Sequence, residues 1–136
     1  MPKQTGLGWT TLDVDDSAGV AQDLRDNTTN FEFSTPIAVQ ETTGVDKYAI
    51  ERLLLLADFS ITMNGVADFD AADSAHSILK DVGSTRVARD VTIVISGQTL
   101  TNNCLLTDYA LTRGDDGSLV WSCPGVLANG IAPTWS

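Results

Sequence analysis

The side chains that could carry out catalysis or hold a metal are few in this sequence and widely spaced. His76 is the only histidine, so a histidine-based catalytic triad or a multi-histidine metal site would have to be built around it alone. Cys104 and Cys123 are the only cysteines, and their spacing matches no metal-binding or redox motif. We therefore expect a packed or solvated His76 and two reduced, buried cysteines.

Two groups of aspartates have the composition of ligand loops but are better explained as turns. Asp13, Asp15 and Asp16 lack the later glycine and the closing glutamate that a calcium loop requires. The segment GDDG at 114–117 is typical of a hairpin turn. The chain also has no glycine-rich phosphate loop, nucleophile elbow or CxxC motif. The sequence thus predicts no enzyme, no metal site and no cofactor.

The charge of the chain is strongly and unevenly acidic. The formal net charge is −10, and residues 1–73 carry 13 acidic side chains against four basic ones. Electrostatic binding of phosphate groups by this chain is therefore disfavoured. Such acidity suits a conduit through which nucleic acid slides without sticking, and it suits plain solubility equally well. No apolar run is long enough to span a bilayer, and the start of the chain lacks a secretory signal, which favours folding in a cytoplasm.

The clearest structural element is an alternating strand at residues 58–64. Its apolar positions are Phe59, Ile61 and Met63, and the positions between them are polar. Because successive side chains of a strand point to opposite faces, one face is predicted to be buried. The other face is left for water, a partner or a wide pore.

Strands and turns dominate the remainder of the chain, with one helix. The helix is predicted at 71–82 with Asp70 as its N-cap, and its apolar stripe includes Ile78 and Leu79. About seven or eight strands and one flanking helix imply a mainly β single domain over 1–136, a two-sheet β-sandwich or barrel. Beyond 58–64, the predicted strands are Trp9–Val14, Val20–Leu24, Asn30–Gln40 with a break at Pro36, Val87–Ser96, Asn103–Arg113, Leu119–Cys123 and Ile131–Trp135.

The segment Asp46–Ala57 is ambiguous. Ala49, Glu51, Arg52 and the four leucines at 53–56 favour a helix by propensity. A helix would run into the next strand without a Gly or Pro stop, so we prefer an extended loop that leads into that strand.

Beyond these patterns, nearly the whole chain resembles one protein family. The similar segments are DLRDNTTNFEFSTPIAVQETTGVDKYAIERLLLLADFSITMNGV, SGQTLTNNCLLTDYALTRGDDGSLVWSCPGVLANG and the ending APTWS. They resemble the tail tube (major tail) proteins of long, flexible-tailed bacteriophages, in particular phages that infect actinobacteria. The resemblance implies a sandwich with a flanking helix whose subunits close into hexameric rings, and rings that stack into a tube for genome delivery. It also implies a location in the virion tail after assembly in the host cytoplasm.

The resemblance further implies partners and contact surfaces. The partners are other copies of the chain, a tape measure protein, tail tip (initiator) and tail terminator proteins, and genomic DNA that passes through the lumen; no cofactor and no membrane insertion are implied. The candidate lumen-facing residues are Glu32, Ser34, Gln40, Asp58, Ser60, Thr62 and Asn64. The loop at 42–57 corresponds to the extended loop that bridges rings. Its candidate contacts are Thr43, Asp46, Lys47, Tyr48, Glu51 and Arg52, with an N-terminal arm at 1–8 and the end near Trp135 as further stacking elements.

Two other classes of function stay open. A carbohydrate- or protein-binding β-sandwich, such as a phage or secretion-related decoration module, fits the same strand pattern. An enzyme has the least residue support, since it would depend on His76. The tube protein of type VI secretion systems is the relative most easily confused with this chain.

Overall fold

The computed structural model of the chain describes residues 7, 9–67, 69 and 74–136. In that part the chain is mainly β with helical turns on one flank, which confirms the predicted fold class. The strands are β1 (Trp9–Asp15), β2 (Ala21–Asp23), β3 (Thr28–Ser34), β4 (Ile37–Glu41), β5 (Arg52–Ala57), β6 (Ser60–Val66), β7 (Arg89–Ile95), β8 (Gln98–Leu106), β9 (Ala110–Arg113) and β10 (Leu119–Leu127). The helices are α1 (Ala75–Leu79) and α2 (Val82–Thr85).

Eight of these strands form one antiparallel sheet that curls back on itself. Their order is β2-β1-β7-β8-β10-β6-β3, and β9 pairs with β10 beside β8. The short β2 pairs only with Asp13–Asp15 of β1, and beyond it the sheet closes on itself through Trp9 of β1 and Phe31 of β3, whose ring centroids lie 4.4 Å apart. A cleft of about 490 Å³ remains between these strands. The sheet is therefore an incompletely closed barrel, and β4 and β5 form a separate two-stranded sheet outside it.

The inside of the barrel is filled by alternate residues of every long strand. Phe59, Ile61 and Met63 are buried as the alternation predicts, and so are Leu12 and Val14 of β1. The predicted reduced and buried state of the cysteines is confirmed, because both are free and buried. Burial raises the pKa of the Cys104 thiol to about 12 and that of Cys123 to about 11, so neither forms a thiolate readily.

The helix differs from its predicted bounds. Residues 70–73, including the proposed N-cap Asp70, lie outside the described residues, and α1 begins after Ser74, whose hydroxyl accepts a hydrogen bond from the N–H of Ser77. The first helix ends at Leu79 and α2 follows after a turn. The physical reason is Arg89, whose buried guanidinium donates to the carbonyl of Ile78 at 2.6 Å and so competes with continuation of the helical ladder.

Several strand boundaries also need correction. The turn expected at 97–99 is shorter, because β8 already begins at Gln98 and Gly97 takes the positive φ of 81°. The strand expected at 103–113 is split into β8 and β9, and β10 continues past Cys123 to Leu127. The described part of the chain has ten strands, against the predicted seven or eight, because 103–113 and 30–40 each form two strands and β5 is added, while 131–135 is not a strand.

The C-terminal segment and the hairpin around 114–117 also differ from the prediction. Residues 131–135 form a single bridge, between Trp135 and Leu100, where a strand was predicted. The Trp135 ring packs against Phe33, with the centroids 5.9 Å apart, which fixes the segment by side-chain contact. In the 114–117 hairpin Arg113 pairs with Leu119, one residue beyond the Ser118 expected from the sequence.

Candidate functional site: an apolar arm and a polar sheet face

A hairpin of residues 37–57, here called the arm, extends beyond the barrel. It consists of β4, a loop at 42–51 and β5, and it continues the hairpin made by β3 and β6. Pro36 introduces the predicted break before β4, and its carbonyl accepts the N–H of Asp58 at 2.8 Å, which closes the base of the arm. The preferred extended loop at 46–57 is therefore wrong for 52–57, which form β5, and the alternative helix is also wrong.

Both faces of the arm are apolar and exposed. Leu54 lies opposite Val39 on one face, and Leu53 lies opposite Gln40 on the other face. The pairing shifts register between Val39 and Ile37, so simple alternation does not extend to Leu55 and Leu56. Leu53 and Leu54 are 56% and 72% exposed, and Leu55 and Leu56 are 47% and 86% exposed. A two-stranded hairpin is only marginally stable in water, and a contiguous exposed apolar surface marks an interaction site. The arm thus has the exposed apolar character of an interaction surface.

The tip of the arm is polar and internally hydrogen-bonded. Thr43 accepts the N–H of Glu51 at 2.8 Å, and Lys47 lies 3.4 Å from Asp46 and 3.7 Å from Glu51. Tyr48 projects from the tip fully exposed. The structure therefore brings together five of the six predicted inter-ring residues at the tip. The sixth, Arg52, begins β5 opposite Glu41.

A concave notch lies at the base of the arm. It has a volume of about 470 Å³, and apart from Asp58 its lining is apolar. The carboxylate of Asp58 accepts the N–H of Phe59 at 2.8 Å. The lining residues are Pro36, Ile37, Ala38, Leu56, Ala57 and Asp58.

The outer face of the β3–β6 pair is polar over its central part. Glu32 lies opposite Thr62 and Ser34 opposite Ser60, with 3.0 Å between the two serine hydroxyl oxygens. Asn64 of β6 continues this face, so the structure places five of the seven proposed lumen residues side by side. The other two lie elsewhere: Gln40 pairs with Leu53 on the arm, and Asp58 lies in the basal notch.

The same outer face becomes apolar at its two ends. Val66 of β6 lies opposite Val120 of β10, and Leu105 of β8 lies opposite Val126 of β10. Each of these four side chains is between 40% and 53% exposed. The polar region is therefore a band with an exposed apolar pair at either end, which the sequence analysis did not predict.

The aspartates near the first turn do not form a cation site. Asp16 accepts the N–H groups of Ala18 and Val20 at 2.9 and 3.0 Å, which is the turn predicted from the sequence. Burial, followed by repulsion from Asp23, raises the pKa of Asp13. Across residues 7, 9–67, 69 and 74–136, no cluster of three histidine, cysteine or carboxylate side chains has metal-binding geometry.

His76 is packed, one of the two environments expected for it. Its Nδ1 lies 3.1 Å from the hydroxyl of Tyr109, and the Phe69 ring meets it edge-on with a centroid distance of 4.4 Å. Ala75, the preceding residue, donates its N–H to the side-chain oxygen of Asn27 at 2.8 Å. These contacts attach α1 to the barrel, so His76 has a structural role in this arrangement.

The functional feature that sequence reasoning missed is the arm as a two-sided apolar hairpin. The signal was the run Leu53–Leu56, because four consecutive apolar residues in a strand place apolar side chains on both faces. Among the helices that the structure describes, none has the length and apolar character needed to cross a membrane.

No protein-family model and no curated protein sequence matches this chain. Solved structures do match its fold along nearly the full length. One is a chain in the virion of a native gene transfer agent (GTA) particle, with a TM-score of 0.73, 14% sequence identity and coverage of 98% of this chain and 99% of that chain. Another is a chain in the tail of an empty GTA particle, computed with helical refinement and C6 symmetry, with a TM-score of 0.73, 15% identity and the same coverage. At such identities the similarity establishes a common fold.

Proposed function

We propose that this chain is the tail tube protein of a long, flexible-tailed bacteriophage that infects actinobacteria. Copies close into hexameric rings, the rings stack into a tube, and the genome passes through that tube into the host. Two observations support the proposal: the fold shared with a chain from a C6-symmetric GTA tail, and the exposed apolar arm. The exposed apolar arm is the main support for this proposal, because such a surface has no function in a soluble monomer.

The magnitude of arm burial favours a polymer over an isolated pair. Full burial of an aliphatic side chain contributes about 1.5 to 3 kcal/mol, so six such side chains that are on average roughly three-fifths exposed offer roughly 5 to 11 kcal/mol. Association costs on the order of 4 to 15 kcal/mol in lost freedom. The free energy gained by burying one arm is therefore close to the free-energy cost of association, and stable assembly needs several contacts for each subunit. The six side chains are Ile37, Val39, Leu53, Leu54, Leu55 and Leu56.

The tip of the arm forms the contact between rings in this proposal. Lys47, Tyr48 and Arg52 offer two cations and one aromatic ring, and Asp46 and Glu51 offer carboxylates. Mixed charge around an aromatic residue suits an interface that must fix a register. Thr43 holds the loop in shape through its bond to Glu51.

The polar band lines the lumen in this proposal. Glu32 contributes a carboxylate to it, and Ser34, Ser60, Thr62 and Asn64 contribute neutral polar groups. Such a surface neither binds DNA phosphates nor exposes apolar side chains to them. Repulsion between carboxylates and phosphates extends about 8 Å at physiological salt, which is enough to act near the wall of the tube. Asp58 extends this surface to the root of the arm, and Gln40 extends it along β4 toward the tip.

The role is mechanical, without catalysis or a cofactor. The tape measure protein fixes the length of the tube, the tail tip protein initiates it and the terminator protein ends it. Assembly takes place in the host cytoplasm, and the product resides in the virion tail.

Electron microscopy tests this proposal on two samples, the recombinant chain concentrated at neutral pH and tails from purified particles. We expect rings or tubes with a central channel, and we expect the chain as the main protein of the tails. The double variant Leu54→Ser, Leu56→Ser should stay soluble and fail to assemble. Val87→Ser, Ile131→Ser is the matched control, because it removes two exposed apolar side chains outside the arm and should assemble normally. Absence of the chain from purified tails would overturn the proposal in favour of a binding or decoration module.

A further inference from the structure

We propose that the dipeptide Asn129-Gly130 is a site of spontaneous covalent modification, at which the asparagine carboxamide loses ammonia and becomes aspartate or isoaspartate. The site lies in the bend that follows β10 and leads into the C-terminal segment. The co-reactant is water. This chemistry is independent of the proposed function, because it needs no second copy of the chain.

The modification proceeds through a succinimide ring. The backbone nitrogen of Gly130 gives its proton to a base in the solvent and attacks Cγ of Asn129, so that a C–N bond forms and a five-membered ring closes. The bond between Cγ and Nδ2 then breaks, and Nδ2 takes up a proton and leaves as ammonia. Water opens the ring at either of its two carbonyl groups, which gives aspartate or isoaspartate without oxidation or reduction.

The carboxamide of Asn129 is held in a position that favours this attack. Asn129 is exposed, and its Oδ1 accepts a hydrogen bond from the N–H of Ile131 at 3.1 Å. Such a bond folds the side chain back over the intervening Gly130 peptide, which brings Cγ toward the attacking nitrogen. The same N–H stabilises the negative charge that develops on Oδ1 when the nitrogen adds to Cγ.

The attacking nitrogen is accessible. Gly130 takes a φ of 72° and has no Cβ to shield its nitrogen, and a Cβ built at this position meets nothing within 4 Å. In the part of the chain that the structure describes, the N–H of Gly130 has no hydrogen-bond partner. A base in the solvent can therefore remove its proton without first breaking a hydrogen bond.

A second Asn-Gly dipeptide in the chain has the opposite environment. Asn64 and Gly65 lie within β6, which pairs with β10 on one side and with β3 on the other. A Cβ at Gly65 would overlap the carbonyl oxygen of Asn27, so this segment has no room to rotate toward the ring geometry. Ring closure there requires β6 to separate locally from its neighbours. The fold thus distinguishes two dipeptides that are identical in sequence.

The turn at 114–117 offers a similar bend in which the nucleophile is engaged. Asp116 accepts the N–H of Ser118 at 3.1 Å, as Asn129 accepts that of Ile131. However, the N–H of Gly117 donates to the carbonyl of Gly114 at 3.0 Å. An aspartate also has no ammonia to lose. Release of ammonia and the accompanying change of mass therefore report asparagine sites and leave this turn out.

The product differs from the original chain in charge and in backbone length. Each conversion takes the formal net charge from −10 to −11. Ala128 donates its N–H to the carbonyl of Asn103 at 2.9 Å before the dipeptide, and Ser136 exchanges two backbone hydrogen bonds with Thr99 after it. Isoaspartate adds one methylene group to the backbone between these two attachments. Copies of the chain therefore become chemically heterogeneous with age.

The test incubates the purified full chain at mildly alkaline pH and follows it by peptide mass spectrometry. The mass difference between a carboxylate and a carboxamide identifies conversion, and the peptides assign it to position 129 or 64. We expect conversion at Asn129 to be at least about tenfold faster than at Asn64, which corresponds to about 1.4 kcal/mol for local opening of β6. Asn129→Gln is the matched control, because glutamine does not close the five-membered ring, and it should remove the new acidic species from anion-exchange chromatography.

The same incubation in guanidinium chloride separates the effect of the fold from that of the dipeptide. Both asparagines should react at similar rates in the unfolded chain, because each is followed by glycine. Equal rates at Asn129 and Asn64 in the folded chain would overturn the inference. A folded chain that keeps Asn129 unmodified while the unfolded chain reacts would overturn it as well, since the bend would then protect the carboxamide.

Discussion

Substitution of Gly65 by alanine is expected to destabilise this protein more than the same substitution at Gly83 or Gly125. Gly65 lies in β6, and a Cβ at this position would overlap the carbonyl oxygen of Asn27 and lie 2.7 Å from Nε1 of Trp121. The same carbonyl accepts hydrogen bonds from Nε1 of Trp121 at 3.2 Å and from the N–H of Val66 at 3.1 Å. The added methyl group therefore forces apart a buried junction of three segments.

The magnitude follows from two costs. Overpacking a filled interior costs about 1 to 3 kcal/mol when the neighbours must shift. Separation of the Trp121 indole from its acceptor leaves a buried N–H unsatisfied, which costs a further 1 to 3 kcal/mol or so. The sum, roughly 2 to 6 kcal/mol, is a large share of the typical stability of about 5 to 15 kcal/mol of a single domain.

The assay is urea unfolding of the recombinant chain, followed by tryptophan fluorescence. Gly83→Ala is the matched control, because a Cβ at Gly83 meets nothing within 4 Å and α2 favours alanine. It should leave the free energy of unfolding unchanged or raise it by up to about 1 kcal/mol. Gly125→Ala should fall between the two, because its nearest contact is the flexible side chain of Leu106 at 2.9 Å. A Gly65→Ala protein as stable as the Gly83→Ala control would refute the reasoning.

Three further predictions concern charged residues. Arg89 is 1% exposed and donates to the carbonyl of Ile78 at 2.6 Å and to the partly exposed Asp81 at 2.8 Å, so Arg89→Met should cost about 1 to 3 kcal/mol in urea unfolding by removing the donor to the Ile78 carbonyl, and an unchanged stability would contradict this. Burial and neighbouring carboxylates raise the folded-state pKa of Asp13 and Asp15 above the ordinary value of 3.8, so their ionisation opposes folding at neutral pH. As the pH falls through those raised pKa values toward 3.8, the folded state takes up the protons and this penalty is lost. Asp13→Asn should therefore stabilise the protein at neutral pH, and by less as the pH approaches 3.8. A gain in stability that does not depend on pH would show that titration of Asp13 is not the cause. Asp58→Lys should leave the fold intact and impair DNA passage, and virions of that variant that inject normally would contradict a lumen role for this residue.

The parts of the fold that could be predicted from sequence are those fixed by local pattern. Phe59, Ile61 and Met63 alternate with polar residues, and the period of a strand alone determines which face they occupy. The end of α1 could not be predicted in this way, because it depends on Arg89, ten residues beyond Leu79 in the sequence, which takes the carbonyl of Ile78.

The arm was missed for a related reason. Four consecutive leucines fit a buried helix and a strand covered on both faces equally well, and only the neighbouring strand β4 decides between them. The polar residues of the tip were predictable because a loop was expected there. Their position at the end of a long apolar hairpin was not, since it depends on the pairing of β4 with β5 rather than on a local pattern.

The arm and the rest of the chain have opposite effects on association, which is what the proposed tube protein requires. The arm carries three acidic and two basic side chains, so the rest of the chain carries −9 of the net charge of −10, and this charge keeps free copies apart. The arm supplies apolar surface whose burial is roughly balanced by the cost of a single association. In the proposed tube, a subunit therefore gains little from one neighbour and more where several neighbours already surround it. Growth is then favoured at the end of an existing tube.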